Sequence, residues 1–254
     1  MTIESPNASH LPSLCRLWRE AFGDGDTFLN DFMREAFAPD RARVILENGE
    51  AVAALYWLDA SLGGRPVAYL YAIATAKSHR GRGLCARLLA DTHAQLSARG
   101  YAAALLVPSE PSLFGFYERF GYVPCAPMQM LSVAASDEPI TLRRVGAEEY
   151  GRLRAALLPQ GGVLQEGEAL RFLETQAELF AGEDVLMAVR RESDGTLFGI
   201  ELLGNAARAP QALCTLGVSH GSFRVAGGET PFAMLRALTD EPITPPTYFA
   251  LAFD

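Results

Sequence analysis

A strand-like run, Val67 to Ile73, ends in a turn of glycine and arginine, and a helical pattern starts at once on its far side. The stretch reads TAKSHRGRGLCARLL, Thr75 to Leu89, and it restricts the possible folds more than any other. A helix that begins directly after such a turn leaves its first backbone N–H groups unpaired and carries about half a positive charge at that end. Phosphate oxygens suit such an end. Arg80 and Arg82 add full positive charge beside it, while Gly81 and Gly83 remove side chains that would hold a bulky anion off the backbone. Gly81, Gly83 and Ala86 spell G-x-G-x-x-A, the dinucleotide fingerprint of a βαβ unit. Arg80, Gly83 and Cys85 spell a second anion-loop pattern, R-x-x-G-x-small. A solvated arginine turn between strand and helix is the third reading, so context has to separate the three.

The rest of the composition removes several classes of function. The chain has 254 residues, enough for one large or two modest domains with real cores. A net charge of -8 argues against nonspecific nucleic-acid binding, which needs a basic surface, and mildly favours cationic or amine-bearing partners. Cys15, Cys85, Cys125 and Cys214 show no C-x-x-C spacing and read as free thiols in a reducing compartment, not as a metal site or a disulfide frame. No apolar run approaches the length of a membrane span, and the N-terminus lacks a basic start followed by an apolar segment. A cytoplasmic location is the expectation.

Three antiparallel strands are expected before the glycine turn. After a short strand at Thr2 to Glu4, Leu11, Leu14, Cys15, Trp18 and Phe22 recur at helical spacing, giving a helix over Ser9 to Phe22. Asp26 is a candidate N-cap for a second helix that ends before Pro39. Arg43 to Leu46 and Ala51 to Leu58 form strands around Asn48-Gly49, a dipeptide suited to a tight hairpin, and Gly63-Gly64 turns into Val67 to Ile73. Past the turn, Leu84, Leu88, Leu89 and Leu96 mark one face of a helix that stops at Gly100. Ala102 to Val107 is then a buried strand parallel to the one before the turn. A short helix containing Phe116, Tyr117 and Phe120 follows, and Met128 to Val133 is expected to close a final hairpin. A dinucleotide fingerprint normally follows the first strand of a parallel unit, so this order disfavours it. Glu110, its candidate ribose ligand, also sits 24 residues past Ala86 against roughly 20.

Two motifs in order carry a family resemblance. The segment R-x-x-G-x-small at Arg80, Gly83 and Cys85 resembles the acetyl-CoA loop of the GNAT N-acetyltransferases, with Cys85 where Gly or Ala is usual. Phe116-Tyr117-Glu118-Arg119-Phe120-Gly121-Tyr122 is similar to that family's F-Y-x-x-x-G-[FY] segment, at the expected distance. The resemblance covers residues 1 to 135. It implies an α/β (α+β) GNAT fold, with a mixed, mostly antiparallel sheet flanked by helices and splayed between the strand at Val67 to Thr75 and that at Ala102 to Val107. The pantetheine arm of acetyl-CoA would lie in the gap. The donor-binding set implied is Ile73, Ala74, Thr75, Arg80, Gly81, Arg82, Gly83, Leu84, Cys85 and Phe116, with Tyr117 as the acid that serves the leaving thiolate.

Beyond a polar linker at Asp137 to Pro139 the pattern restarts. Thr141 to Val145 reads as a strand, Glu148 to Leu158 and Glu168 to Phe180 as helices, and Val185 to Arg190, Leu197 to Leu203 and Ala212 to Val218 as strands. This repeats the first half, so a second, degenerate GNAT-like domain is expected over 137–254, after a catalytic domain over 1–136. Ser222 to Pro231 stands where a phosphate loop would, with Arg224 and Gly227 in place but Glu229 at the last small position, where it would repel pyrophosphate. A helix over Phe232 to Leu238 and a strand over Pro246 to Phe253 complete the expectation. The second domain would either face the substrate or serve packing, including homodimer formation. This two-domain plan is similar to bacterial relatives of the enhanced intracellular survival acetyltransferases.

An amine nucleophile must be neutral, and freeing an alkylamine of pKa near about 10.4 at neutral pH costs roughly 4 to 5 kcal/mol. The resemblance therefore implies transfer of acetyl directly to an amine-bearing acceptor, with a proton acceptor in the site. The strand Val67 to Thr75 carries no Asp or Glu. Tyr69 and Tyr71 through a water, Glu110, Asp26 and Asp59 remain as candidates, and none stands out. His79 is expected to be solvated or to touch a phosphate, and His93 to lie on the helix surface; His10 and His220 have no partner at useful spacing. A chain that keeps the loop but lacks a base would be a noncatalytic acyl-CoA sensor.

Overall fold

The computed structural model describes residues 1–253, and the chain divides into two compact units. The first comprises Met1–Val123 with Leu235–Ile243, the second Pro124–Met234 with the residues from Thr244 on. This division differs from the expected boundary at 136 and 137, because residues 124–134 go with the second unit and residues 235–243 with the first.

The first unit follows the expected order. It runs β1 (Thr2–Glu4), α1 (Leu11–Phe22), α2 (Asp26–Glu35), β2 (Ala42–Glu47), β3 (Glu50–Leu62), β4 (Arg65–Thr75), α3 (Leu84–Ala98), β5 (Ala103–Leu106) and α4 (Ser112–Glu118). Strands β1 to β4 are antiparallel neighbours in sequence order, and β4 pairs with β5 in parallel. Asn48 and Gly49 take φ of 52° and 81°, the values that a tight hairpin between β2 and β3 requires. Asp26 is the first residue of α2 and Gly25 its cap, which places the carboxylate at the positive end of the helix. Leu14, Leu17 and Trp18 bury one side of α1, and the Trp18 ring lies 4.7 Å from Phe32, 5.3 Å from Tyr56 and 5.7 Å from Tyr71. This aromatic cluster fixes the two helices on the sheet. Leu84, Leu88, Leu89 and Leu96 bury the inner face of α3, as their spacing predicts.

The second unit corrects several expectations. Its elements are β6 (Val123–Ala134), β7 (Arg143–Arg144), α5 (Ala147–Leu157), β8 (Leu164–Gln165), α6 (Glu168–Gln176), β9 (Glu178–Ala181), β10 (Val185–Arg191), β11 (Leu197–Gly204), α7 (Ala209–Leu216) and β12 (His220–Ala237). Met128 to Val133 does not close a hairpin: β6 is one twelve-residue strand and pairs with β12. The helix expected through Phe180 stops at Gln176, where Ala177 turns to extended backbone. Leu170, Leu173, Ala177 and Phe180 keep a helical spacing across that break, so periodicity alone reads through it. Ala212 to Val218 is the helix α7, not a strand. Pro210 in its first turn and Gly217 at φ 66° are its start and stop signals. Ser222 to Pro231 is no loop and Phe232 to Leu238 no helix, since both lie in or just beyond β12. Pro246 to Phe253 forms only a bridge, Gly162 to Tyr248, although Tyr248 to Leu251 are wholly buried.

These corrections make the repeat closer. Strands β7, β9, β10 and β11 are antiparallel neighbours and β11 pairs with β12 in parallel, matching β1 to β5 strand for strand. In β4, Ala72 and Ile73 stand opposite Leu55 alone, and Ala72 has φ 48°; in β11 a bulge falls at Ile200. Each copy thus bends its fourth strand near the point where parallel pairing stops. The counterpart of the glycine turn is therefore 205–208, between β11 and α7, where Arg208 pairs with Asp184 at 3.4 Å. Beyond the last β11–β12 pair, Gly199 with Phe223, the Tyr248 hydroxyl donates to Glu201 of β11 at 3.1 Å. Tyr150, 2.8 Å away, and Arg154, 2.9 Å away, hold the same wholly buried carboxylate.

Candidate active site

Parallel pairing of β4 with β5 covers only Val67 with Ala103, Ala68 with Ala104 and Tyr69 with Leu105. From Tyr71 on, β4 carries the bulge, and that side of the strand is open. Ala76 N–H donates to the Val52 carbonyl at 2.9 Å while Thr75 stands opposite Ala53. In an antiparallel ladder this register turns the N–H and C=O of Thr75 away from β3, towards the gap, and alternation sends those of Ile73 the same way. Ala74 is buried and pairs with Ala54, so its backbone serves the sheet instead.

The turn at the mouth of the gap follows the expected course from strand through glycine turn to helix. A single helical turn at Lys77–His79 leads into extended Arg80, then Gly81 at φ 74° and Gly83 at φ 73°. Side chains rarely adopt such angles, and a Cβ at either glycine would meet no atom within 4 Å, so the space in front of the backbone is open. No side chain caps α3 at Gly83, and the first amide that finds a helical partner is that of Arg87. The Leu84, Cys85 and Ala86 amides therefore stand at the positive end of a fifteen-residue helix. The Leu84 side chain goes into the core, leaving only its amide to the turn. Arg80 and Arg82 are exposed, and Arg80 Nε donates to the Thr75 carbonyl at 3.3 Å.

Sequence reasoning missed the brace behind this turn. Glu47, at the end of β2, lies 2.8 Å from His79 Nε2 and 3.7 Å from Arg82. His79 Nδ1 lies 2.8 Å from the Ser78 hydroxyl, so His79 is tied to protein on both sides instead of being solvated. The bond to His79, aided by Arg82, holds the Glu47 carboxyl below its usual range. Nothing in the spacing marks Glu47, because it meets the turn only through the sheet.

Helix α4 brings Phe116 and Tyr117 to α3. Phe116 is half-buried, with Phe120 at 5.1 Å and the Arg119 guanidinium over its ring. Tyr117 is 8% exposed, and among the described residues its hydroxyl makes no hydrogen bond to protein. Burial, then the neighbouring Cys85, push this phenol well above its usual range, so it keeps its proton. Burial also pushes the Cys85 thiol up to about 11, the opposite of a nucleophilic cysteine.

The candidate bases are largely engaged elsewhere. Asp26 pairs with Arg19 at 2.8 Å, and Asp59 pairs with Arg41 at 2.9 Å and accepts from the Tyr101 hydroxyl. Tyr69 and Tyr71 lie ring to ring at 5.9 Å along β4, and Glu110 is exposed beyond β5. His93 is buried, contrary to the surface position expected for it.

An antiparallel three-strand lead, a bulged fourth strand, a splayed parallel partner and a glycine turn before the intervening helix leave an open cleft beside β4, an order that does not fit the dinucleotide reading. Residues 2–125 of the chain match the acetyltransferase (GNAT) domain. The chain is 30% identical over 146 residues to the N-acetyltransferase Eis of Mycobacterium bovis, covering 52% of this chain and 35% of the relative. The chain thus spans about a third of that relative's length. Among solved structures, a GCN5-related N-acetyltransferase from Kribbella flavida superposes with TM-score 0.71 at 20% identity, over 93% of this chain and 72% of that one. Eis1 from Mycobacterium abscessus superposes with TM-score 0.68 at 16% identity, over 94% and 74%. Both span the two units, which supports the fold of the second as well as the first. No helix among the described residues is long and apolar enough to cross a membrane.

Proposed function

We propose that the chain is an N-acetyltransferase that takes acetyl from acetyl-CoA and passes it directly to a primary amine of a small molecule or peptide. The observation that carries this reading is the uncapped N-terminus of α3 behind two left-handed glycines, opening beside the unpaired edge of β4. The residues fit the donor. The amides of Leu84, Cys85 and Ala86, with Arg80 and Arg82, suit a pyrophosphate, and the gap-facing groups of Ile73 and Thr75 suit an amide-bearing arm. The family resemblance adds Phe116 of α4 to this donor set.

Acetyl-CoA supplies an acetyl group on a thioester, and its transfer leaves a thiolate that needs a proton. Tyr117 is the group assigned to it. A phenol of ordinary pKa about 10 gives its proton to a thiolate of about 8.5 only at a cost of roughly 2 kcal/mol, and burial widens that gap. Its work is therefore to hold a hydrogen bond on the developing sulfur charge and to complete the transfer as a proton returns from the amine. The counterpart turn of the second unit, 205–208, contains no glycine, and that unit holds Tyr248 against Glu201, so one donor site per chain is the reading, with the second unit serving the acceptor or packing, including homodimer formation. The four unpaired cysteines suit a reducing, cytoplasmic setting.

The pairing of Asp26 and Asp59 with arginines favours a second reading, an acyl-CoA sensor without catalysis. Thiol titration of CoA release over polyamines, aminoglycosides, amino acids and peptides separates the two. Release with at least one amine supports the enzyme, whereas tight CoA binding with no release from any supports the sensor.

A further inference from the structure

Among the described residues the Tyr117 hydroxyl makes no hydrogen bond, so packing sets its direction. Two rings meet it edge-on, Phe116 of its own helix at 5.1 Å and 84°, and Tyr122 from beyond the helix at 5.9 Å and 68°. Tyr122 is 2% exposed, and its hydroxyl lies 2.7 Å from Nε2 of His93 in α3. Burial, then the nearby Arg236, push this imidazole down to about 4, so it is neutral through the ordinary pH range. The phenol and the imidazole Nε2 thus meet in one buried hydrogen bond, whichever of them donates. Arg236 donates to the Phe120 carbonyl at the end of α4, and His93, Phe120 and Arg236 line a groove of about 480 Å³ in the first unit, floored by Ala86, Ala90 and Ala94. The bond between His93 and Tyr122 thus ties α3 to the segment that follows α4, directly behind Tyr117.

We propose that His93 and Tyr122 are positioning residues: their buried hydrogen bond locks the Tyr122 ring, and that ring fixes the line along which the Tyr117 hydroxyl projects beside Cys85. This rests on the reading of Tyr117 as the donor to the leaving sulfur. Glutamine at position 93 can still bond the phenol through either amide atom. Leucine cannot, and it strands a buried hydroxyl.

The test compares His93→Leu, His93→Gln and Tyr122→Phe, alone and combined with Tyr117→Phe, with rates normalised to the CoA-binding fraction. His93→Leu is expected to lower kcat about tenfold, the loss of roughly one hydrogen bond in the working geometry, with KM for acetyl-CoA within about twofold. His93→Gln should recover most of that loss. With Tyr117→Phe already in place, neither His93→Leu nor Tyr122→Phe should lower kcat further, whereas a merely structural role would still add. Where His93→Leu does not fold, Tyr122→Phe carries the same expectation, since it keeps the ring. Loss of turnover in Tyr117→Phe with none in His93→Leu or Tyr122→Phe overturns the proposal alone; unchanged turnover in Tyr117→Phe overturns the donor reading beneath it. If no amine in the panel is acetylated, the Tyr117 phenol carbon is followed by NMR in labelled protein. One sharp line in wild type that broadens in Tyr122→Phe supports the positioning role, and equal sharpness in both overturns it.

Discussion

Gly83 and Gly100 offer a matched pair for testing the donor loop. Both hold positive φ, 73° and 83°, and at both a Cβ would meet nothing within 4 Å, so alanine at either strains only the backbone. That strain is about 1 to 2 kcal/mol, which lowers the melting temperature by several degrees in a protein of this size. Gly83 caps the anion-facing end of α3, while Gly100 follows its other end. Acetyl-CoA at about 100 times its dissociation constant should stabilise the wild type by roughly 2.7 kcal/mol. A carboxylate in Gly83→Glu, about 4 Å from a phosphate charge at an effective dielectric near 20, opposes binding by about 4 kcal/mol. The opposing term is the larger, so Gly83→Glu should show no upward shift with acetyl-CoA in a thermal melt. Gly100→Ala should start lower yet keep the whole shift. A full shift in Gly83→Glu would refute the placement of pyrophosphate at this turn, and loss of the shift in Gly100→Ala would show that strain alone explains it.

Tyr117→Phe should reduce kcat by ten- to a hundredfold, in order of magnitude, while calorimetry finds CoA affinity unchanged; equal turnover removes Tyr117 from the chemistry. With its thiol near 11, Cys85 should react with iodoacetamide at pH 7.5 roughly a hundredfold or more slower than free cysteine, as read by peptide mass spectrometry, and labelling at the free rate contradicts its burial. Because the folded Glu47 carboxyl lies below its unfolded value, its contribution to stability is fully present above the ordinary carboxylate range, near about 4.3, and fades as pH falls through the folded value. Glu47→Gln should therefore lose stability at pH 7 but little at pH 3, measured by denaturant unfolding; an equal loss at both assigns the effect to something other than charge. Arg154→Leu leaves Glu201 buried without its cation and should cost about 3 to 5 kcal/mol, while the double variant with Glu201→Leu should recover part of it; full additivity would deny the pairing.

The first unit was legible because its signals are local. Asn48-Gly49, the leucines of α3 and the glycine turn each declare a conformation within a few residues, and the structure places all three as read. The same letters carry the donor-loop and Tyr117 readings on which the proposed function rests. What stayed hidden depends on neighbours far along the chain. Glu47 reaches His79 across 32 positions, and Tyr122 meets His93 across 29, so no window of sequence contains either pair. In the second unit, local signals competed. Ala212 and Leu213 read as strand until Pro210 and Gly217 are given their weight as helix ends. Arg224 and Gly227 read as a phosphate loop, yet Gly227 and Gly228, at φ 103° and 84°, lie within a strand that Phe223 and Val225 bury before them and Ala233 to Leu235 after them. Missing one strand at Glu178–Ala181 then shifted the comparison of the halves by one element, which moved the apparent loop from 205–208 to Ser222.

With the elements aligned, the two copies differ at the bulge of the fourth strand. In the first, Ala72 and Ile73 bring no carboxylate to the gap, and the backbone there stays free for a ligand. In the second, Glu201 follows the bulge directly, but each of its oxygens already accepts from a side chain: Oε1 from Arg154 and Tyr248, Oε2 from Arg154 and Tyr150. A carboxylate so saturated cannot also receive a proton from an incoming amine without breaking a buried ion pair, and removing one partner of such a pair costs about 3 to 5 kcal/mol. The copy with a carboxylate on the strand has no glycine turn, and the copy with the turn has no carboxylate there. Any carboxylate base for the reaction must therefore be sought away from β4. A water held by Tyr69 or Tyr71, which lines the strand just ahead of the bulge, is the arrangement the first unit offers without dismantling an ion pair.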